Sequence, residues 1–488
     1  AMRLLKHAAD PDSLLNPGKM NEAPPMDVNL RYGVQYRTNT WKPILDFGHA
    51  GGLSGAIEQC NGQGVCRKFE GVMCPSFQAT RDEMHSTRGR ANPLRALISI
   101  GGKALPEQQV KQALDLCLAC KGCKAECPSG VDMAKLKYEF QSHYYESHHR
   151  PLRDYLFGYI GTFAKLGSPM GKILNWLTAR VFIRKIADRF LGISDKRVLP
   201  KFGYADDKKT GTSISHDYKI VDMEFIESCL FLPDTFTHFF EPEIEKTALS
   251  VLAFCGIKAI PLPVFGAGRT LLSKGFIEPA RDHALKLLNE IKRADPTGKL
   301  AVVGLEPSEI YTLRDEMLDL LPDRRSEVEA LMARAWLIDE FLIRQSASSQ
   351  KLRVANSDLS TNQIRGSKIL LHGHCYQKAQ APHADGYPIG VSASAELLKV
   401  VGYDVEVLNT GCCGMAGAFG YETEHFDVSM RVGELKLFPQ VRLGAASGEI
   451  TLAAVGTSCR SQISDGTGVK AEHSIILVAQ KLMPSARI

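Results

Sequence analysis

Cys117-Leu118-Ala119-Cys120-Lys121-Gly122-Cys123-Lys124-Ala125-Glu126-Cys127-Pro128 places four thiols within eleven residues and follows the last with proline. Thiols three residues apart on a tight loop can converge on adjacent corners of a cubane. The C-x2-C-x2-C-x3-C-P spacing is that of bacterial 4Fe–4S sites. Zinc knots usually come as two separated pairs, which this run does not resemble. Gly122 allows the backbone to approach the cluster closely. Where two such clusters occur together, the cysteine before proline ligates the other cluster.

Working outward, Cys60, Cys66 and Cys74-Pro75 form an incomplete second copy, with Gln63 where a further cysteine would stand. By the exchange rule, Cys117, Cys120, Cys123 and Cys74 hold one 4Fe–4S cluster. Cys60, Cys66 and Cys127 are then one ligand short. They can hold a 3Fe–4S cluster, hold a 4Fe–4S cluster with a non-cysteine ligand, or stay empty. A single cluster on Cys117, Cys120, Cys123 and Cys127 is the simpler arrangement. Between the motifs, Ser86-Thr87-Arg88-Gly89-Arg90-Ala91 brings Arg88 and Arg90 close in sequence to anionic sulfur. Positive charge there would tune a cluster's potential. The bland alternative is a solvated loop.

The chain has 488 residues, 44% hydrophobic and 23% charged, which suits several globular domains and excludes wholesale disorder. No apolar run is long enough to cross a bilayer. The chain lacks a basic-then-apolar leader, so a cytoplasmic setting is expected. Clustered cysteines among a total of thirteen then suggest metal or redox work rather than disulfides. The net charge of +5 is too weak to indicate nucleic acid. It is unevenly spread: Arg150 to Lys201 carries eleven Lys/Arg against Asp154, Asp188 and Asp195. This stretch reads as basic amphipathic helices, interrupted near Gly167-Ser168-Pro169. It can meet an anionic membrane surface from the inner face, or simply present solvated helix faces.

Residues 1–44 read as a tail rich in turns, 45–150 as a mostly helical cysteine-bearing domain, and 151–218 as the basic segment with a linker. Residues 219–345 and 366–488 read as a duplicated α/β unit joined by a connector at 346–365. Each half has an apolar strand (228–233 and 368–372), a helix (241–254 and 392–401) and a later strand (300–304 and 452–456). Gly256 to Gly268 and Gly402 to Gly414 are each twelve positions apart. In the second half Cys375, Cys412, Cys413 and Cys459 each follow a strand, where open parallel sheets gather ligands. His372 and His374 flank Cys375, and His374 is a candidate nitrogen ligand. The set can hold a metal ion or a cluster, or consist of buried structural thiols. Gly266-Ala267-Gly268 stands at the matching place in the first half. Cys229 and Cys255 fall in apolar elements and read as core thiols.

Taken together these motifs resemble the iron–sulfur half of FAD-linked D-2-hydroxy-acid dehydrogenases of the D-lactate and D-2-hydroxyglutarate type. They also resemble the iron–sulfur subunits of glycolate oxidase and anaerobic glycerol-3-phosphate dehydrogenase. Asp10 to Lys19 is similar to the closing segment of the flavin domain in such proteins. The resemblance implies a fold that is α+β and multidomain, with a ferredoxin-like domain followed by two repeats like the cysteine-rich CCG domains of heterodisulfide reductase. It implies FAD on a missing domain or partner subunit, and onward transfer of electrons to a quinone or another carrier. Redox sensing, or thiol reduction at Cys412-Cys413, would be the alternatives. The sequence departs from the full pattern at Gln63, Gly266-Ala267, Glu309 and Gln462, where relatives carry cysteine.

Overall fold

The computed structural model describes residues 1–483 apart from 20, 29–32, 101–104, 204–226, 347–367, 447 and 449. Most of the expected linker (204–218) and connector (347–365) therefore lie outside the described residues.

The cysteine-bearing region is helical, as its pattern suggests. Pro75 opens helix Pro75–Thr80 immediately after Cys74. Proline suits that first position because its missing N–H would have no helical partner there. Ser86 caps helix Thr87–Ile98 by accepting a bond from Gly89 N at 2.9 Å. Asp132 caps helix Met133–Ser147 through Lys135 N at 3.1 Å. A two-residue antiparallel pair, β1 (Arg37–Thr38) with β2 (Ser99–Ile100), closes the region. The N-terminal tail differs from expectation in one respect: Met2–Ala9 is a helix, although it buries nothing.

Two parallel sheets follow. The first has the order β4 (Ile257–Pro261), β3 (Glu227–Leu232), β5 (Ala301–Gly304), β6 (Ala335–Leu337). The second has the order β8 (Asp404–Val407), β7 (Lys368–His372), β9 (Ile450–Ala454). Strands β3 and β7 each carry a buried apolar run, Cys229–Leu232 and Ile369–Leu371, as burial on both faces demands. The counterpart of β6 in the second half shrinks to one parallel bridge between Ala453 and Glu472.

The halves embrace reciprocally. Helix Pro242–Phe254, near the start of the first half, packs on the closing helix Ser474–Leu482 of the second. Helix Val391–Val400 packs on Ile338–Ser346, which closes the first. Asp339 joins the two pairs, accepting hydrogen bonds from Ser394 and Ser474. Its burial pushes its carboxyl up to about 6.

The helical region sits across both halves. Helix Pro75–Thr80 lies on helix Phe426–Ala446. A single apolar core joins Cys117, Cys120 and Cys123 with Leu272 and Tyr311 of the first half and with Cys375, Cys412 and Val432 of the second.

Candidate iron–sulfur and thiol centres

The loop carrying Cys117, Cys120 and Cys123 is bent by Ala119 (φ 50°) and Lys121 (φ 61°), both left-handed without being glycine. Such strain collects at functional sites. The three cysteines are buried, and each is an electrostatic neighbour of the other two. Burial among like groups pushes Cys123 up to about 12 and raises Cys120 well above the usual thiol range. The Cys120 and Cys123 sulfurs do not readily carry charge alone, whereas iron would hold them as thiolates. Gly122 serves the neighbouring chain: an added Cβ would stand 2.9 Å from the Val72 carbonyl carbon. That approach brings the run against the segment leading into Cys74.

Cys74, itself left-handed at φ 55°, faces both Cys66 and Cys123. Its Sγ accepts from Thr87 N at 3.0 Å, and Cys66 Sγ accepts from Arg88 N at 3.4 Å. Backbone N–H donors on sulfur suit cluster ligands. Cys60 and Cys127 are half-buried at the edge of the same core.

The two candidate tuning arginines differ. Arg90 is 2% exposed, bonded to Ser76 Oγ (2.7 Å) and Ala113 O (2.9 Å), and its charge bears on Cys74. Arg88 sends its guanidinium to Glu83 (2.8 Å) and Gly62 O (2.9 Å), and reaches Cys66 with its backbone.

The second constellation lies at the C-terminal edge of the β7–β9 sheet. Cys375, Cys412, Cys413 and Cys459 are all buried, each within hydrogen-bonding reach of the next. Bonding to Cys412 holds Cys375 down to about 6. Cys413 is drawn below its usual range by Cys412 and Cys459. Among the described residues, the one group of three donor atoms lying within 4.8 Å of one another is Glu422, Glu424 and His425. No three of the four sulfurs therefore close on one point, as a tetrahedral mononuclear site requires.

His374 does not join the row: its Nδ1 accepts from Tyr376 N at 3.2 Å and caps helix Cys375–Lys378. The histidine that faces Cys413 is His372, whose Nδ1 is engaged with Thr410 Oγ1 at 2.8 Å and whose buried Nε2 has no hydrogen-bond partner. Lys378, held by Gly411 O at 3.0 Å, supplies positive charge to all four cysteines. The sequence gives no sign of this role, because a lysine three positions after a cysteine looks like any helix surface.

The first half has no thiol at the equivalent place, Cys229 and Cys255 being buried in its apolar core. Glu309 fills the equivalent space, its Oε2 accepting from Ala267 N and Arg269 N. Burial pushes it up to about 7, and Asp234 nearby likewise. The two thiol centres themselves are close. Cys375 is the strongest charged neighbour acting on Cys120, and Tyr376 donates from its hydroxyl to Ala119 O at 3.3 Å.

A polar cavity of about 80 Å³ lies beside Cys117, between Lys137, Lys274 and Glu422. At its wall His425, 3% exposed, has Nε2 3.1 Å from Asp115 and Nδ1 2.8 Å from Glu422. Burial opposes its charge, but the two carboxylates outweigh that and raise its titration above 6.5. Glu422 is lowered against its burial by Lys274 and His425. Glu422 and Glu424 are thus already matched with cations, Lys274 and Arg153, and His425 with the carboxylates of Asp115 and Glu422.

The histidine gives a pH prediction. Its contribution to the junction is complete below 6.5 and fades as pH rises through its higher native value. The denaturation midpoint should fall across that window, and His425→Gln should flatten the fall. An unchanged slope in the variant would refute the assignment.

With this geometry in view, the comparisons define a class. Residues 59–132 match the family described as a 4Fe-4S dicluster domain. The iron–sulfur reading of Cys117, Cys120 and Cys123 thus lies inside a recognised cluster-binding region. The chain is 26% identical to D-2-hydroxyglutarate dehydrogenase of Escherichia coli K12 over 96% of its own length and 48% of the relative's. It is 24% identical to one of the subunits of anaerobic glycerol-3-phosphate dehydrogenase from the same organism, over 69% of this chain and 79% of that one. A short stretch, 14% of this chain and 15% of the relative, is 37% identical to a probable glycolate oxidase iron-sulfur subunit of Bacillus subtilis. The chain spans about half the length of the D-2-hydroxyglutarate dehydrogenases it matches. No helix among the described residues is long and apolar enough to cross a membrane.

Proposed function

We propose that this chain is the electron-transfer portion of a flavin-dependent dehydrogenase of D-2-hydroxy acids, working with an FAD-binding domain or subunit and delivering electrons to a quinone or another carrier. The observation that carries the reading is the shared buried pocket of Cys117, Cys120, Cys123 and Cys74. Its left-handed backbone turns and N–H···S bonds suit an iron–sulfur cluster and little else. A bound 4Fe–4S cluster supplies one-electron chemistry, which a two-electron flavin needs in order to unload onto single-electron carriers.

The chain's own groups do the rest. Cys117, Cys120, Cys123 and Cys74 hold one cluster, and Cys60, Cys66 and Cys127 are the ligands for a second. Arg90 offsets negative charge from the Cys74 side, and the apolar core excludes water. We read the two parallel sheets as paired CCG-type units, the first having lost its thiols to Glu309 and the second keeping four with Lys378 beside them. The basic Leu152–Val198 segment is where we place contact with a membrane.

The test is direct. Protein purified without oxygen should contain iron and show a broad visible band that dithionite bleaches. Joined to the flavin-binding half, that band should also bleach with a D-2-hydroxy acid and not with its L-enantiomer. Colourless, iron-free protein would overturn the proposal. In the oxidised state, a paramagnetic resonance signal is expected if Cys60, Cys66 and Cys127 hold three irons.

A further inference from the structure

The segment between Leu152 and Val198 turns outward the residues that a globular protein usually turns inward. Helix Val181–Leu191 has no buried residue. Its Phe182, Ile186 and Phe190 are 71%, 39% and 78% exposed and recur every four residues, which makes one apolar stripe along one face. Lys185 and Arg189 are exposed beside it. The preceding arm runs through Ile160–Gly167, the turn Ser168–Met170 and helix Gly171–Thr178. It exposes Phe163, Leu166, Met170, Ile173 and Trp176 at intervals of three and four, with Lys165 and Lys172 between them. Helix Gly171–Thr178 meets helix Val181–Leu191 at the turn between them, and Arg153 Nη1 donates to Gly192 O at 3.1 Å, so the segment leaves and returns at one place as a hairpin.

The base of the hairpin is firmly held. Ser194 N bonds to Tyr421 O at 2.8 Å, and Arg197 is fully buried in the second half. Of the three acidic residues of the segment, Asp154 is buried against Lys274, Asp188 accepts from Thr423 Oγ1, and Asp195 is half-buried near the base. What faces out is apolar stripe and positive charge.

We propose that this hairpin is a docking surface for a bilayer rich in anionic phospholipid. The stripes enter the boundary between headgroups and acyl chains while the lysines and arginines stay among the phosphates. Partner proteins fit less well, because interface cores are depleted of lysine and these stripes are interleaved with it. An eleven-residue helix is too short to span, so it lies in the plane of the surface. This deepens the membrane contact proposed above by naming the lipid class and the residues, and its test reads binding rather than electron transfer.

The experiment is flotation of the full chain, with its clusters, on vesicles of phosphatidylcholine with and without phosphatidylglycerol. The anionic vesicles should carry the protein, less so at high salt. Trp176 fluorescence should shift to the blue on binding, and Trp176→Phe should abolish that shift. Phe182→Ser with Phe190→Ser should lower binding at least about tenfold, with unchanged visible absorption showing that the rest of the chain is intact. No flotation at low salt would overturn the proposal, as would equal binding by the double variant. So would a concentration-dependent dimer that the double variant abolishes while neither protein binds vesicles, which would make the face a contact between copies.

Discussion

Replacing Cys120 by alanine will remove the iron held beside Cys117 and Cys123, about four atoms per chain, and with it much of the visible absorption. Cys120 sits at the centre of the constellation, between Cys117, Cys123 and Cys375. Cys123 is buried too deeply to ionise readily without metal, so the thiols that remain have no solvated alternative. The companion variants separate the two ligand schemes. If the fourth ligands are exchanged, Cys74→Ala mimics Cys120→Ala at this site, because Cys74 faces Cys123. Cys127→Ala then spares it and depletes the other site. Iron analysis with low-temperature paramagnetic resonance reads the difference. Loss of the first cluster in Cys127→Ala, with retention in Cys74→Ala, would establish the single-cluster arrangement and refute the exchange.

Much of this site could be read from spacing, because cluster ligands come from short local runs whose geometry is set by a few residues. The parallel units were legible for a related reason: apolar strands and amphipathic helices alternate in the same order twice. What sequence could not supply was the outcome of tertiary pairing. His372 and His374 flank Cys375 in sequence. Only the end of β7 at His372, and the helix starting at Cys375, show that one faces Cys413 while the other caps the helix. Glu309 reads in sequence as a missing cysteine. The fold shows that it fills the vacant space, and an alanine at Gly266 would put its Cβ 2.8 Å from the Glu309 carboxyl carbon. In the 151–200 segment the charge was visible in the sequence. That the apolar stripe faces outward was not, because an amphipathic helix in sequence does not say which face is covered.

Arg197→Met is expected to lower the denaturation midpoint by about 4 °C while leaving the cluster absorption of the folded protein unchanged. Arg197 is fully buried and uses its whole fork: Nε to Gly420 O (2.9 Å), Nη1 to Asp465 (2.7 Å), and Nη2 to Gln462 Oε1 (2.6 Å) and Ser429 Oγ (3.0 Å). Removing one partner of a buried charge network costs about 3–5 kcal/mol, mostly from the groups left unpaired. Arg197→Lys restores charge opposite Asp465 but not the planar fork, so it should recover only part of the loss. Gln462 explains why this anchor exists. On the resemblance to CCG-type repeats it would stand in place of their last cysteine, and its other amide atom donates to Ser429 O at 3.0 Å beside Gly414. The Gln462 side chain is thus an acceptor that fastens the basic hairpin to the thiol-bearing unit. Gln462→Cys should therefore destabilise the protein by about 1–3 kcal/mol through Arg197. A gain of bound iron in that variant without loss of stability would show that the position is still a ligand in waiting.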